Sequence, residues 1–261
     1  MQGFKKNKRP VALVTGFSSG IGLAYTKYLA ENNWELELIA QNPEKAKKAF
    51  ESLSYPHSRY HLCDLSKPED LDNVVKAIKA PNLIVANAGI TKYGAAGSIN
   101  KQEKRDLFYL LCNGVIDLIE EFIPSMINQG EGRIIIVSSI GAITPMPKSS
   151  IYASAKSAIY SYGQSLAKEL SNKNISVTVS LPGYVRTDAH ARAGLDHLKS
   201  KVPNWMWVSA EQVVKETERA SIKRKSEVIP GIVYKLVRPF LRLSLANLIW
   251  NGMTKRKSKR Q

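Results

Sequence analysis

Residues 11–22 read VALVTGFSSGIG: five β-branched and aliphatic positions break into a Gly/Ser turn and then into the apolar period of a helix, Ile21–Glu31. A strand that turns this tightly into a helix is suited to phosphate. Gly16 and Gly20 let the backbone approach a pyrophosphate and Gly22 lets the helix lie close to the strand. The free N–H groups at the helix start carry a partial positive charge. The spacing is G-x-x-x-G-x-G rather than G-x-G-x-x-G. An ordinary Gly/Ser turn would read the same in isolation, so the flanking strand and helix favour the dinucleotide reading.

The same alternation continues along the chain. Apolar runs at Leu36–Ala40, Leu83–Ala86, Ile134–Val137 and Ile175–Ser180 are separated by segments of helical period at Pro43–Leu53, Pro68–Lys79, Lys101–Asn128 and Ile151–Ser171. A further helix starts at Ser209, and a short strand is expected near Glu227–Ile229. Apolar strands alternating with amphipathic helices predict an α/β protein. The expected architecture is one Rossmann-type, doubly wound parallel sheet of about seven strands with helices on both faces. The expected organisation is a basic arm (1–9), the α/β domain (10–230) and a C-terminal helical extension (231–261).

The chain has 261 residues, 44% of them hydrophobic and 23% charged, which suits a globular domain rather than a disordered one. The formal charge of +16 is uneven. Residues 1–10 hold four basic and no acidic residues, residues 215–261 hold 13 basic and three acidic, and residues 11–214 carry only two more basic than acidic. The body is nearly neutral, so a nucleic-acid-binding surface is not expected. Cys63 and Cys112 cannot form a disulfide framework, and the four histidines show no ligand spacing, so a reduced, cytoplasmic setting and no metal are expected. The N-terminal apolar run is too short for a signal peptide, and no long uncharged apolar stretch predicts a membrane span.

The second strand ends Ala40-Gln41-Asn42 without a carboxylate, and Lys45, Lys47 and Lys48 follow. An acidic residue there would bind the adenosine ribose 2′-hydroxyl, whereas a 2′-phosphate needs neutral or basic company. NADP(H) is therefore expected over NAD(H), although such lysines also suit a solvated helix face. Tyr152 and Lys156 stand four apart and so share one helix face. A cation beside the phenol would lower its pKa from the usual ~10 and let it exchange a proton with a carbonyl or alcohol oxygen. Ser138-Ser139 ends a strand, where ligands bind in open α/β sheets. Each of these signals is weak alone, because a serine there also serves as a turn or cap.

Together they resemble the short-chain dehydrogenase/reductase family. The resembling motifs are T-G-x-x-x-G-x-G at Thr15–Gly22, an Asp after the third strand in Cys63-Asp64-Leu65, N-A-G at Asn87-Ala88-Gly89, Y-x-x-x-K at Tyr152–Lys156, and P-G-x-V-x-T at Pro182–Thr187. The resemblance implies a catalytic set of Ser139, Tyr152 and Lys156, selecting Ser139 by its distance of 13 from the tyrosine. It adds Asn113, in Leu111-Cys112-Asn113-Gly114, as the residue that holds a water linked to the lysine; a core amide is the competing reading. It implies cofactor contacts at Thr15, Gly16, Ser18, Ser19, Gly20, Ile21, Gly22, Gln41, Asn42, Asp64, Leu65, Asn87, Ala88, Gly89, Tyr152, Lys156, Pro182, Gly183, Val185 and Thr187. The implied reaction moves a hydride between nicotinamide and a carbonyl or secondary alcohol, with no metal.

The resemblance also implies a substrate lid at about 188–208 and a homodimer or homotetramer. Trp205 and Trp207, with Ile140, Ile143, Met146 and Tyr184, would give an apolar lining for a lipid-, steroid- or acyl-like substrate; the tryptophans could equally dock the lid on the body. The helical stretch Ile232–Trp250 sets Lys235, Arg238 and Arg242 on one face beside many apolar residues and ends in a polybasic run. Such a segment suits an anionic membrane surface, a subunit interface or packing on its own domain. The alternative to an enzyme is a catalytically idle member of the fold serving as a nucleotide sensor or scaffold, against which the intact Ser139–Tyr152–Lys156 set argues.

Overall fold

A computed structural model describes residues 9–187 and 202–237. The N-terminal arm before Arg9, residues 188–201 of the expected lid and the tail from residue 238 lie outside the described residues.

Seven parallel strands form one sheet in the order β3-β2-β1-β4-β5-β6-β7: β1 (Val11–Thr15), β2 (Glu35–Ala40), β3 (Ser58–Leu62), β4 (Leu83–Ala86), β5 (Gly132–Val137), β6 (Ile175–Ser180) and β7 (Glu227–Val228). The helices are α1 (Gly20–Glu31), α2 (Pro43–Leu53), α3 (Pro68–Ala77), α4 (Lys101–Phe108), α5 (Gly114–Gln129), α6 (Ser150–Glu169), α7 (Ala210–Ile222) and α8 (Ile232–Val237). Side chains alternate across each strand, so the sheet divides one apolar sequence pattern between two cores. Leu13, Ile39, Ile84, Ile134 and Val177 pack beneath α3, α5 and α6. Ala12, Val14, Leu38, Val85 and Ile135 pack beneath α1 and α2, with Val214 of α7.

Two elements depart from the sequence reading. β3 carries only Tyr60 and Leu62 as apolar residues and is not among the apolar runs. Polar pairing ties it to β2, where Glu37, fully buried, accepts from Arg59 Nε at 2.8 Å and lies 2.9 Å from His61 Nε2. The single helix expected over Lys101–Asn128 is instead two helices joined by a π turn, Tyr109–Asn113, closed by Gly114 N–H donating to the Tyr109 carbonyl five residues back. A Cβ at Gly114 would lie 3.0 Å from the Leu65 carbonyl, so the wide turn presses against the loop after β3. Isolated π turns of this kind mark functional sites in many helices.

The strand order reverses between β1 and β4, and the carboxyl ends of both strands open on the same crevice, where a ligand of an open α/β sheet binds.

Candidate active site

That crevice is a cavity of about 990 Å³. At one end the glycine turn leaves β1 in left-handed backbone, Gly16 at φ +70° and Gly20 at φ +57°. A Cβ on Gly22 would lie 2.2 Å from the Gly16 carbonyl and 2.6 Å from Asn87 Nδ2, so only glycine lets α1 start here. Thr15 and Asn87 join the two central strands: Thr15 Oγ1 accepts from Asn87 N and Ala88 N, both at 2.9 Å, and Asn87 Nδ2 donates to the Thr15 carbonyl at 3.0 Å. Thr15 and Gly22 thus stand behind the wall and shape it. Gly16, Ser18, Ser19, Gly20, Ile21, Gln41, Asn42, Asp64, Leu65, Asn87, Ala88 and Gly89 line it. Pro182, Gly183, Val185 and Thr187 line the opposite wall, and a Cβ on Gly20 would meet Thr187 at 3.1 Å.

The crevice fits a dinucleotide. The cradle is one a single methyl group would fill, it sits at the positive end of α1, and the buried Lys156 lines the same cavity. Asp64 is held below the usual carboxylate range: burial opposes this, but hydrogen bonds from Ser66 and Gln41 prevail.

The reacting groups sit where β5 ends. Adjacent serines face opposite ways, as extended backbone requires. Ser138 Oγ is buried and donates to the Lys156 carbonyl at 2.9 Å, bracing α6. Ser139 faces the cavity, where its Oγ accepts the Gly141 N–H at 3.0 Å and stands beside the Tyr152 phenol. Lys156, 5% exposed, donates from Nζ to the Val137 carbonyl at 2.9 Å. Ser139, Tyr152 and Lys156 therefore converge on one patch of cavity wall.

The electrostatics differ from the sequence expectation. Burial raises the Tyr152 pKa above its ordinary value, with the Ser139 hydroxyl opposing, and no depression by Lys156 is found. Burial lowers Lys156 to about 8, with neighbouring Cys112 opposing.

Asn113 is not brought to the site. It lies at the end of the π turn, exposed and outside the cavity lining. Leu111 and Cys112 face inward instead: Leu111 is fully buried and lines the cavity, and its Cδ2 would lie 2.9 Å from a Cβ on Gly89, whose other near neighbour is Lys156 Nζ. The wide turn changes which residue of this segment points at the lysine.

On the substrate side, Ile140, Met146 and Tyr184 line the cavity as expected. Trp205 does not, being 66% exposed, and Trp207 stands outside the lining with its ring 5.5 Å from that of Tyr184. Sequence reading missed Leu107, Leu110 and Thr144. All three line the cavity, and the buried Thr144 hydroxyl has no hydrogen-bond partner among the described residues. The helical period places Leu107 and Leu110 on one face, but it does not say that this face meets a cavity. No cluster of His, Cys, Asp or Glu among the described residues could hold a metal, and no described helix is long and apolar enough to cross a membrane.

Comparison with known proteins agrees with this geometry. The short chain dehydrogenase family profile matches residues 10–197. The chain is 30% identical over 197 residues to human 3-oxoacyl-[acyl-carrier-protein] reductase, covering 74% of this chain and 83% of that protein. It is 31% identical over 211 residues to carbonyl reductase family member 4 of Xenopus tropicalis, covering 78% and 87% respectively. In fold it is similar to a short-chain dehydrogenase from Sphingobium yanoikuyae solved with NADPH, with a TM-score of 0.80 at 24% identity over 97% of this chain and 98% of that one. It is also similar to 4-hydroxyisoleucine dehydrogenase solved with NADH, with a TM-score of 0.78 at 18% identity over 85% of this chain and 97% of that one. The chain belongs to the short-chain dehydrogenase/reductase family and is an oxidoreductase of that family.

Proposed function

We propose that this oxidoreductase interconverts a hydrophobic ketone and its secondary alcohol with NADP(H). The observation that carries the cofactor preference is the end of β2. Gln41, Asn42 and Lys45 line the cavity there, and the carboxylates of β2, Glu35 and Glu37, belong to its other half, paired with Lys79 and Arg59. No carboxylate of β2 itself stands at its end to repel a 2′-phosphate, and Lys45 offers it a cation. The apolar side chains of Ile140, Met146, Leu107, Leu110 and Tyr184 support the substrate class.

A bound nicotinamide would supply the hydride. In reduction Tyr152 would give its phenolic proton to the carbonyl oxygen and take it back in oxidation. Ser139, which lines the same stretch of wall as that phenol, would hold the oxygen within reach of it. Lys156 would bind cofactor hydroxyls, and the negative charge forming on Tyr152 would favour its protonated form.

Steady-state comparison of NADPH with NADH, using a hydrophobic ketone, tests the reading. We expect kcat/KM for NADPH to exceed that for NADH by about tenfold or more, as one or two charged phosphate contacts imply. A preference for NADH would overturn it.

A further inference from the structure

Tyr234 comes from the C-terminal extension, beyond residues 10–197 of the family match, yet its side chain ends behind the cavity wall. It is 2% exposed. Its ring lies over Gly183 so closely that a Cβ there would be 2.0 Å from Tyr234 Cζ. Its hydroxyl accepts the Tyr184 N–H at 2.9 Å and donates to the Met206 carbonyl at 2.7 Å. One oxygen atom thus joins the loop bearing Tyr184 to the turn at 204–206. The same two segments pair beside it, Val208 N donating to the Tyr184 carbonyl and Arg186 N to the Val208 carbonyl, each at 2.9 Å. The Tyr184 ring rests against Trp207.

The base from which Tyr234 reaches inward is held from the other side. Glu216 of α7 accepts Gly231 N–H at 3.2 Å and pairs with Lys235. Gly231, at φ +90°, makes the turn that starts α8. Ile232 and Leu236, on the outer face of α8, stay 69% and 67% exposed. The segment is thus pinned at two polar points and keyed by one buried phenol.

We infer that Tyr234 is a positioning residue. It sets the Pro182–Thr187 wall, and Tyr184 in particular, against the substrate, and makes that wall depend on the C-terminal extension. This rests on the reading of the cavity as a ketone site, but only in part, because the backbone consequence does not need turnover.

The test is Tyr234→Phe in the full chain, which removes one oxygen and leaves the ring over Gly183. It would leave the part-buried Tyr184 N–H and the buried Met206 carbonyl without this partner, which should shift a local opening equilibrium by about tenfold or more. Amide exchange in peptides covering 183–187 and 202–208 should accelerate by about tenfold or more, while exchange in β1 stays unchanged. With NADPH and acetophenone, KM should rise by about tenfold and kcat by less than about twofold, because only wall contacts shared by ground and transition states loosen. In a Tyr184→Ala background, which keeps the backbone N–H but removes the side chain being positioned, the same substitution should change KM much less. Unchanged exchange, or an equal KM effect with and without Tyr184, would overturn the inference. A wild-type protein that turns over no ketone would instead overturn the proposed function and leave the exchange result to decide this one. Should Tyr234→Phe fail to fold, Glu216→Gln loosens the same segment from outside. A smaller shift in the same direction is then expected, and none would refute the coupling.

Discussion

Gly16–Gly22 and Pro182–Thr187 border one cavity but are held in different ways. The first is fixed from within: two left-handed glycines, a helix start and the Thr15–Asn87 bonds lie at the ends of neighbouring strands, and close contacts leave no room for another atom. The second is fixed from outside, by a strand-like pairing to Val208 and by a phenol from residue 234. The lesson is that the glycine turn is closed by its own backbone, whereas the Pro182–Thr187 wall depends on a ring and a hydroxyl brought from a distant segment. Adding a carbon should break the first, and removing an oxygen should break the second.

The largest expected effect comes from removing an oxygen at the reacting centre. Tyr152→Phe should lower kcat by about two to four orders of magnitude, the usual contribution of a general acid–base group. NADPH affinity, read by fluorescence titration, should stay within about twofold. Turnover near wild type would show that another group donates the proton. Adding a carbon at the opposite wall should act on different observables. Gly22→Ala puts a Cβ into backbone rather than a movable side chain. Overpacking of about 1–3 kcal/mol should lower Tm by roughly 4–10 °C and weaken NADPH binding at least about tenfold. If Gly22→Ala instead binds NADPH normally, the two walls do not differ as described.

The same contrast explains what the sequence could reveal. Glycine at a left-handed turn, threonine and asparagine at strand ends, and tyrosine and lysine four apart on a helix are local requirements, so they carry the family resemblance that implies the cofactor wall and the Ser139–Tyr152–Lys156 set. Alternating apolar runs likewise fix most of the sheet. β3 escaped because it is bound by a buried Glu37 and not by its own apolar pattern. Tyr234 escaped because its partners lie 28 and 50 residues away. For the tryptophans at 205 and 207, lining and docking stayed equally open, because composition reports apolarity and not direction.

Lys156 shows what the chemistry costs the fold. Its pKa falls from 10.5 to about 8 through burial. Between those values the unfolded chain binds more protons than the folded one, so this group's contribution to stability rises with pH from about 8 to 10.5. Below pH 8 the folded protein carries the whole penalty, about 3 kcal/mol from 1.36 kcal/mol per unit. Lys156→Met loses the bond to the Val137 carbonyl but removes that penalty. In the absence of cofactor it should therefore raise Tm by several degrees at pH 7, at about 2–4 °C per kcal/mol. The gain should fade as the pH approaches 10.5, and turnover should be lost throughout. A gain independent of pH, or none at pH 7, would mean that the ammonium is not destabilised by its site.

The smallest expected effect is also the most direct check on the π turn. A regular helix through Tyr109–Gly114 would turn a different side chain toward Lys156, and the family resemblance assigns that place to Asn113. The bond from Gly114 N–H to Tyr109 opens the turn by one residue, leaves Asn113 exposed and puts fully buried Leu111 beside Gly89, within reach of the lysine. An exposed amide away from the reacting groups contributes little, so Asn113→Ala should leave kcat and KM within about twofold and stability within about 0.5 kcal/mol. Leu111→Ala, by contrast, opens space beside a buried cation and should cost about 2–5 kcal/mol of stability. A large loss of kcat in Asn113→Ala, with stability intact, would mean that the segment closes to a regular helix during turnover and that the asparagine swings inward to meet Lys156.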